Sequence, residues 1–206
     1  MLSKAVIFDL DGTLWDSRKE VTKAWQEQEI LETGKTHIDL ELTSSLMGLP
    51  MKEIAMAIAP NEYSEEEKIA FGERAFLAEN NYLSTHPGKL FPKVEETLME
   101  LKSRGHRLFI VSNCQNGYIE NFVYHYGKGL FEGFLCYGDT HREKSFTIRK
   151  LMSSYGIEEA SYVGDTLGDE IEAKKAECFF VYAEYGFGKS DKPDAIIVHF
   201  EDLLSL

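Results

Sequence analysis

Six short apolar runs without polar alternation set the strongest limit on what this chain can fold into. They are residues 5–8, 108–111, 134–137, 162–163 (led in by Ala160), 179–182 and 195–198. Such runs suit strands buried on both faces. Stripes at helical spacing lie between them. Val94, Leu98 and Leu101 form one, closed by Gly105. Phe146, Ile148, Leu151 and Met152 form another, closed by Gly156, and Ile171, Ala173 and Ala176 a third. Strands alternating with helices predict an α/β fold built on a parallel sheet.

Residues 18–84 break that rhythm. They hold hardly any strand-like run and read as helices near 19–31, 51–59 and 65–82. Ser64 with Glu67 three positions on is a capping-box pattern. Pro50 suits a helix start, and Pro60 with Asn61 suits a break. So much helix is too long for one crossover between strands. The expected organisation is an α/β core of residues 1–17 and 85–206 with an inserted all-helical cap domain at 18–84. Linkers are expected near 16–18 and 84–88.

With 206 residues, the chain is long enough to bury a core without staples. Its net charge of -13 argues against nucleic acid or an anionic membrane as partner, since both require a Lys/Arg surface. No apolar stretch approaches the roughly 18 residues of a membrane span, and no signal peptide is evident. The three cysteines, Cys114, Cys136 and Cys178, show no CxxC spacing and read as reduced core thiols of a cytoplasmic protein. Oligomeric state is not legible.

In doubly wound sheets, ligands sit beyond the carboxyl ends of the strands. After the first strand come Asp9, Asp11, Gly12 and Thr13; after the second, Ser112 and Asn113; after the fourth, Gly164, Asp165 and, a turn later, Asp169. Lys144 opens the helix before the fourth strand. These carboxylates repel: two charges about 4 Å apart cost on the order of 4 kcal/mol at an effective dielectric near 20. A hard divalent cation removes that penalty, and Mg²⁺ takes one or two carboxylates plus a substrate phosphate. Lys144 and Ser112 suit a phosphate, with N–H groups near Gly12 and Asn113 adding donors. Asp9 could then attack phosphorus, and Asp11 could move the proton. Gly12 lets the chain turn closely around the phosphate and Thr13 braces that turn. Asp16 and Ser17 mark the hinge into the cap, and Trp15 either packs there or faces the substrate.

Asp9-Leu10-Asp11-Gly12-Thr13-Leu14, then Ser112-Asn113, then Lys144, then Gly164-Asp165-Thr166-Leu167-Gly168-Asp169 resemble, in order and spacing, the four motifs of the haloacid dehalogenase-like hydrolases. The resemblance spans the whole core. It implies a Rossmann-like doubly wound core with a helical cap after the first strand. Within the family the chain is most similar to phosphoglycolate phosphatase-like members, which are Mg²⁺-dependent phosphomonoesterases; the segment Tyr185-Gly186-Phe187-Gly188 is common in that group. By this resemblance Asp9 is the nucleophile and Asp11 the acid/base. Asp9, the Asp11 main-chain carbonyl and Asp165 hold Mg²⁺, with Asp169 in support, and Ser112, Asn113 and Lys144 bind phosphate. Three departures stand out. Lys93 and Glu177 occupy positions where many relatives carry Gly, and Ser145 stands where many carry Pro.

The expected function is hydrolysis of a small phosphorylated metabolite, of phosphoglycolate or sugar phosphate type, through an aspartyl-phosphate. A phosphosugar mutase of the same family is one rival. A phospho-accepting signalling receiver is another, but receivers are shorter and have no helical insert. Asp11 disfavours a dehalogenase. The Gly188-Lys189-Ser190 tract lacks the earlier Gly of an NTPase loop, because Ala183 stands there, and no GxSxG serine-hydrolase motif occurs. Arg18, Lys23 and Lys52 are the candidates for substrate contacts from the cap.

Overall fold

The computed structural model describes all residues from Met1 to Leu206. In chain order it forms β1 (Ala5–Phe8), β2 (Trp15–Asp16), α1 (Arg18–Thr33), α2 (Leu40–Leu46), α3 (Met51–Ile58), α4 (Glu65–Leu83) and β3 (Lys89–Leu90). Then follow α5 (Val94–Ser103), β4 (Arg107–Ser112), α6 (Tyr118–Phe122), β5 (Gly133–Cys136), α7 (Tyr137–Thr140) and α8 (Lys144–Ser154). The chain ends with β6 (Ala160–Gly164), α9 (Leu167–Lys175), β7 (Phe179–Ala183), β8 (Ala195–Ile197) and a 3₁₀ turn.

The main sheet has six strands in the order β5-β4-β1-β6-β7-β8. Every pairing in it is parallel. The fold is therefore the expected Rossmann-like α/β sheet, with β1 at its centre. The winding reverses on either side of β1, which opens a crevice at the carboxyl ends of the strands. β1 has no polar side chain to lose, and Val6, Ile7 and Phe8 are sealed from solvent. Successive side chains point to opposite faces. Val6, Phe8, Leu108 and Ile110 pack with α5, α6 and Phe200 on one side. Ile7, Phe109, Val111 and Tyr162 pack with α8 and α9 on the other. Each such large side chain contributes about 1.5–3 kcal/mol by leaving water.

The six apolar runs all form strands, within a residue or two at each end. The third helical stripe needs correction. Ile171 is 46% exposed, and α9 instead turns Asp169, Glu170 and Ala173 inward. Its amino end is committed to polar partners, so its inner face is not apolar. Val198 likewise lies beyond β8 and is exposed. All three cysteines are buried and unpaired. No helix is long and apolar enough to cross a membrane.

Between β2 and β3 the chain makes only helices. α4 begins at the Ser64 capping box, with the Ser64 N–H donating to Glu67 Oε2 at 2.7 Å and the Glu67 N–H donating back to Ser64 Oγ. Gly72 of α4 lets α3 approach closely: a Cβ there would fall 2.3 Å from the Ala55 Cβ. Trp25 of α1 meets Phe76 of α4 edge-on, with ring centroids 6.4 Å apart. α2 was not foreseen, because its seven residues carry too short a pattern.

The two crossings into this insert pair as an antiparallel ribbon, Trp15 with Leu90 and Asp16 with Lys89. Gly88 is required there, since a Cβ would sit 2.9 Å from the Ser17 Cα. Trp15 is fully buried at this hinge, edge-on to Tyr118 and Phe122 at 5.7 and 5.3 Å. That settles its role as packing.

Candidate active site

Asp9 follows β1 directly and its N–H donates to the Val163 carbonyl at 2.8 Å, so the strand ladder aims the first carboxylate. Lys144, at the start of α8, reaches in from the side. Its Nζ donates to Asp9 Oδ1 at 2.9 Å and to Asp169 Oδ1 at 2.6 Å, with all three side chains buried. Asp169 is oriented by the cap of its own helix: its Oδ2 accepts from the Thr166 N–H and hydroxyl at 3.0 and 2.7 Å. Asp165 ends β6. Its Oδ2 accepts the Phe187 N–H at 2.7 Å, whereas its Oδ1 is buried with no partner.

One ligand oxygen from each of Asp9, Asp165 and Asp169 lies within 4.8 Å of the others. Burial, only partly offset by Lys144, pushes Asp9 up to about 7. Burial and then the charges of Asp169 and Asp9 raise Asp165 well above the usual carboxylate range. Burial would lower the Lys144 ammonium, but Asp169 and Asp9 hold it well above its ordinary value. One cation thus serves three carboxylates. An all-oxygen donor set with an orphaned carboxylate oxygen fits a hard divalent cation such as Mg²⁺. Gly12 keeps the space beside it clear: at φ +81° it is left-handed, and a Cβ there would fall 2.3 Å from Asp165 Oδ2.

The Asp11 carboxylate does not join this set. Its Oδ1 accepts from the Tyr118 hydroxyl at 2.8 Å and from the Ser17 hydroxyl. It is not among the three carboxylates that cluster. Burial raises Asp11 to about 6 against the pull of those two hydroxyls. Thr13 needs a correction as well. Its hydroxyl is buried without a partner, and the turn is braced by main-chain bonds such as Gly12 N–H to the Trp15 carbonyl at 3.0 Å.

Ser112 is buried at the end of β4, and Asn113 Nδ2 donates to the Gly48 carbonyl of the insert at 3.2 Å. Asp9, Asp11, Ser112 and Asn113 form the sheet side of one narrow pocket. Trp25, Met51, Ile54, Phe76 and Glu79 face them from the insert. Burial pushes Glu79 up to about 8, despite Gln115 and Trp25 beside it. Of the candidates expected to reach in from the insert, none lines this pocket. Arg18 pairs with Asp16 and lies over the Phe187 ring, Lys52 pairs with Glu65, and Lys23 is exposed.

Sequence reasoning missed Tyr118, Gly48 and Glu79. Nothing in their local pattern distinguishes them from residues of ordinary helices and turns. Phe187 had a signal, as part of the Tyr185–Gly188 segment, and that segment does press on the site: the Tyr185 hydroxyl donates to the Thr13 carbonyl at 2.8 Å.

Fold and site together define a class: a doubly wound α/β protein with clustered carboxylates and one buried lysine at the carboxyl ends of its strands. The family model described as "Haloacid dehalogenase-like hydrolase" matches residues 6–183, and the chain belongs to that family. It is 27% identical over 210 residues to a phosphoglycolate phosphatase of Neisseria gonorrhoeae, covering 94% of this chain and 89% of that protein. It is 26% identical over 200 residues to a 5'-nucleotidase of Pseudomonas aeruginosa, covering 91% and 85%. Among solved structures it is similar to a predicted phosphoglycolate phosphatase from Haemophilus somnus, with TM-score 0.84, 24% identity and coverage of 98% and 96%.

Proposed function

We propose that this chain is a Mg²⁺-dependent phosphomonoesterase that hydrolyses a small phosphorylated metabolite through an aspartyl-phosphate on Asp9, with residues 18–84 acting as a cap over the site. One observation carries the reading. Asp9 is held against Lys144 and the Asp165–Asp169 pair, while Asp11, two residues on, is held apart by Tyr118 and Ser17. The two carboxylates therefore have separate tasks. The names of the relatives, phosphoglycolate phosphatase and 5'-nucleotidase, support phosphate-ester hydrolysis.

Asp9 Oδ attacks phosphorus and the ester oxygen departs, taking a proton from Asp11. Asp11 then takes a proton from water as that water attacks the phosphorus of the aspartyl-phosphate. Phosphate leaves and both carboxyl groups return to their starting states. Lys144, Ser112 and Asn113 hold the phosphate oxygens, Lys144 exchanging part of its contact with Asp9 for them. Asp9, the Asp11 carbonyl and Asp165, with Asp169 behind, would hold Mg²⁺, which when bound supplies the positive charge that lets a phosphate dianion approach this acidic edge. The hydrophobic wall of the insert excludes water from the first half of the reaction.

A phosphate-release screen over phosphorylated metabolites with Mg²⁺ tests this. Turnover that stops in EDTA and returns with Mg²⁺ is expected. Full activity in the chelator, or no release from any ester, would refute it.

A further inference from the structure

The alcohol half of a bound phosphate ester must lie in the pocket between the sheet edge and the insert. No Lys, Arg or His side chain lines that pocket. The only basic group near its floor, Lys144, is engaged by Asp9 and Asp169. The far wall is apolar except for Glu79 of α4, which is 4% exposed. Trp25 fixes that carboxyl: its indole N–H donates to Glu79 Oε2 at 2.6 Å. Gln115, which also lines the pocket, is the other polar side chain beside that carboxyl.

We infer that Glu79 is a specificity-determining residue that pairs with a hydroxyl of the substrate's alcohol half and turns away alcohol halves carrying an anion. The inference rests on the phosphatase reading and narrows it to phosphate esters of small neutral polyols. An entering carboxylate would be buried against Glu79 and an otherwise apolar wall with no Lys, Arg or His side chain to offset it, and unpaired buried charge is costly. A hydroxyl is both donor and acceptor, so it pairs with Glu79 whether or not that carboxyl carries its proton. The relatives named for phosphoglycolate act on an ester whose alcohol half is an acid. The lining of this pocket offers that acid no basic side chain.

The test compares kcat/KM, with Mg²⁺, for glycerol 1-phosphate, phosphoethanolamine, phosphoglycolate and p-nitrophenyl phosphate. Glycerol 1-phosphate is expected to exceed phosphoglycolate by about tenfold or more, the ratio that 1.4 kcal/mol sets. Glu79→Gln, which keeps an acceptor for Trp25, is expected to shrink that ratio about tenfold. A merely structural Glu79 would lower every substrate alike and leave the ratio unchanged, which would overturn the assignment. Phosphoglycolate as the better wild-type substrate would also overturn it, whatever the variant does. A preference for phosphoethanolamine would replace the neutral polyol with a cationic alcohol and overturn the class. Failure on p-nitrophenyl phosphate as well would mean that the phosphatase reading itself is wrong.

Discussion

The Lys144 ammonium stands 2.9 Å from Asp9 Oδ1, and both side chains are closed off from solvent. An amide oxygen at position 9 could still accept this hydrogen bond, so Asp9→Asn should fold as the wild type does. It cannot attack phosphorus. Turnover should fall to less than about a thousandth, a loss of about 4 kcal/mol or more in transition-state stabilisation. Steady-state phosphate release beside a thermal melt checks both halves. Near-normal turnover would remove Asp9 as nucleophile.

Asp165 Oδ1 has no partner, and Gly12 keeps the space beside that carboxylate open. Mg²⁺ at a hundred times its Kd should stabilise the folded chain by about 2.7 kcal/mol. For a chain of this length that raises Tm by about 5–10 °C. Asp165→Asn and Gly12→Ala should both lose the shift, the second because its Cβ meets Asp165. A shift that survives in Asp165→Asn would place the metal elsewhere.

Lys93 and Glu177 hold φ of 64° and 60°. The resemblance to the family leads one to expect glycine at both positions. The left-handed conformation costs a residue with a Cβ about 1–2 kcal/mol. Lys93→Gly and Glu177→Gly should each raise the unfolding free energy by about 1 kcal/mol, less the added freedom of the unfolded chain. Denaturant titration would show it as a higher midpoint at unchanged slope. A lower midpoint would mean that the lysine and glutamate side chains contribute more than the strain costs.

Glu170 accepts hydrogen bonds from Lys174 Nζ, the Ser190 hydroxyl and the Asp191 N–H at 2.8, 2.6 and 2.8 Å. Burial opposes its ionisation, but these donors win and hold it down at about 2, against an ordinary 4.5. A carboxyl depressed in the folded state binds fewer protons folded than unfolded. Its stabilising contribution is present above pH 4.5 and drains away as pH falls towards 2. Glu170→Gln should therefore destabilise at pH 7 and flatten the decline in stability through that window. Parallel acid-unfolding curves for the two proteins would contradict it.

The sheet was legible because its four central strands are buried on both faces, so their apolar runs are unbroken. The insert's long helices were legible through capping and proline signals. β2 and β3 were not, because two residues carry no period. Asp9, Asp11, Ser112, Lys144, Asp165 and Asp169 could be picked out because each follows a strand or opens a helix at the same edge. Glu79 could not. It sits mid-helix among other acidic residues of α4, and only the packing of Trp25 shows which way it faces. Tyr118 was hidden for a similar reason: its partner Asp11 lies far away in sequence, and nothing local marks the pair. Thr13 was misjudged because a hydroxyl in a turn usually braces it, whereas here the main chain does.

The ribbon of Trp15–Asp16 with Lys89–Leu90 brings the two ends of the insert side by side before either reaches the sheet. The six-stranded core therefore receives the same two anchored ends whatever lies between them. Helices there could be lengthened, shortened or exchanged as a cassette without shifting a single register in the sheet. The ribbon would thus let the wall facing the sheet edge be rebuilt while the carboxylates and lysine of that edge keep their places.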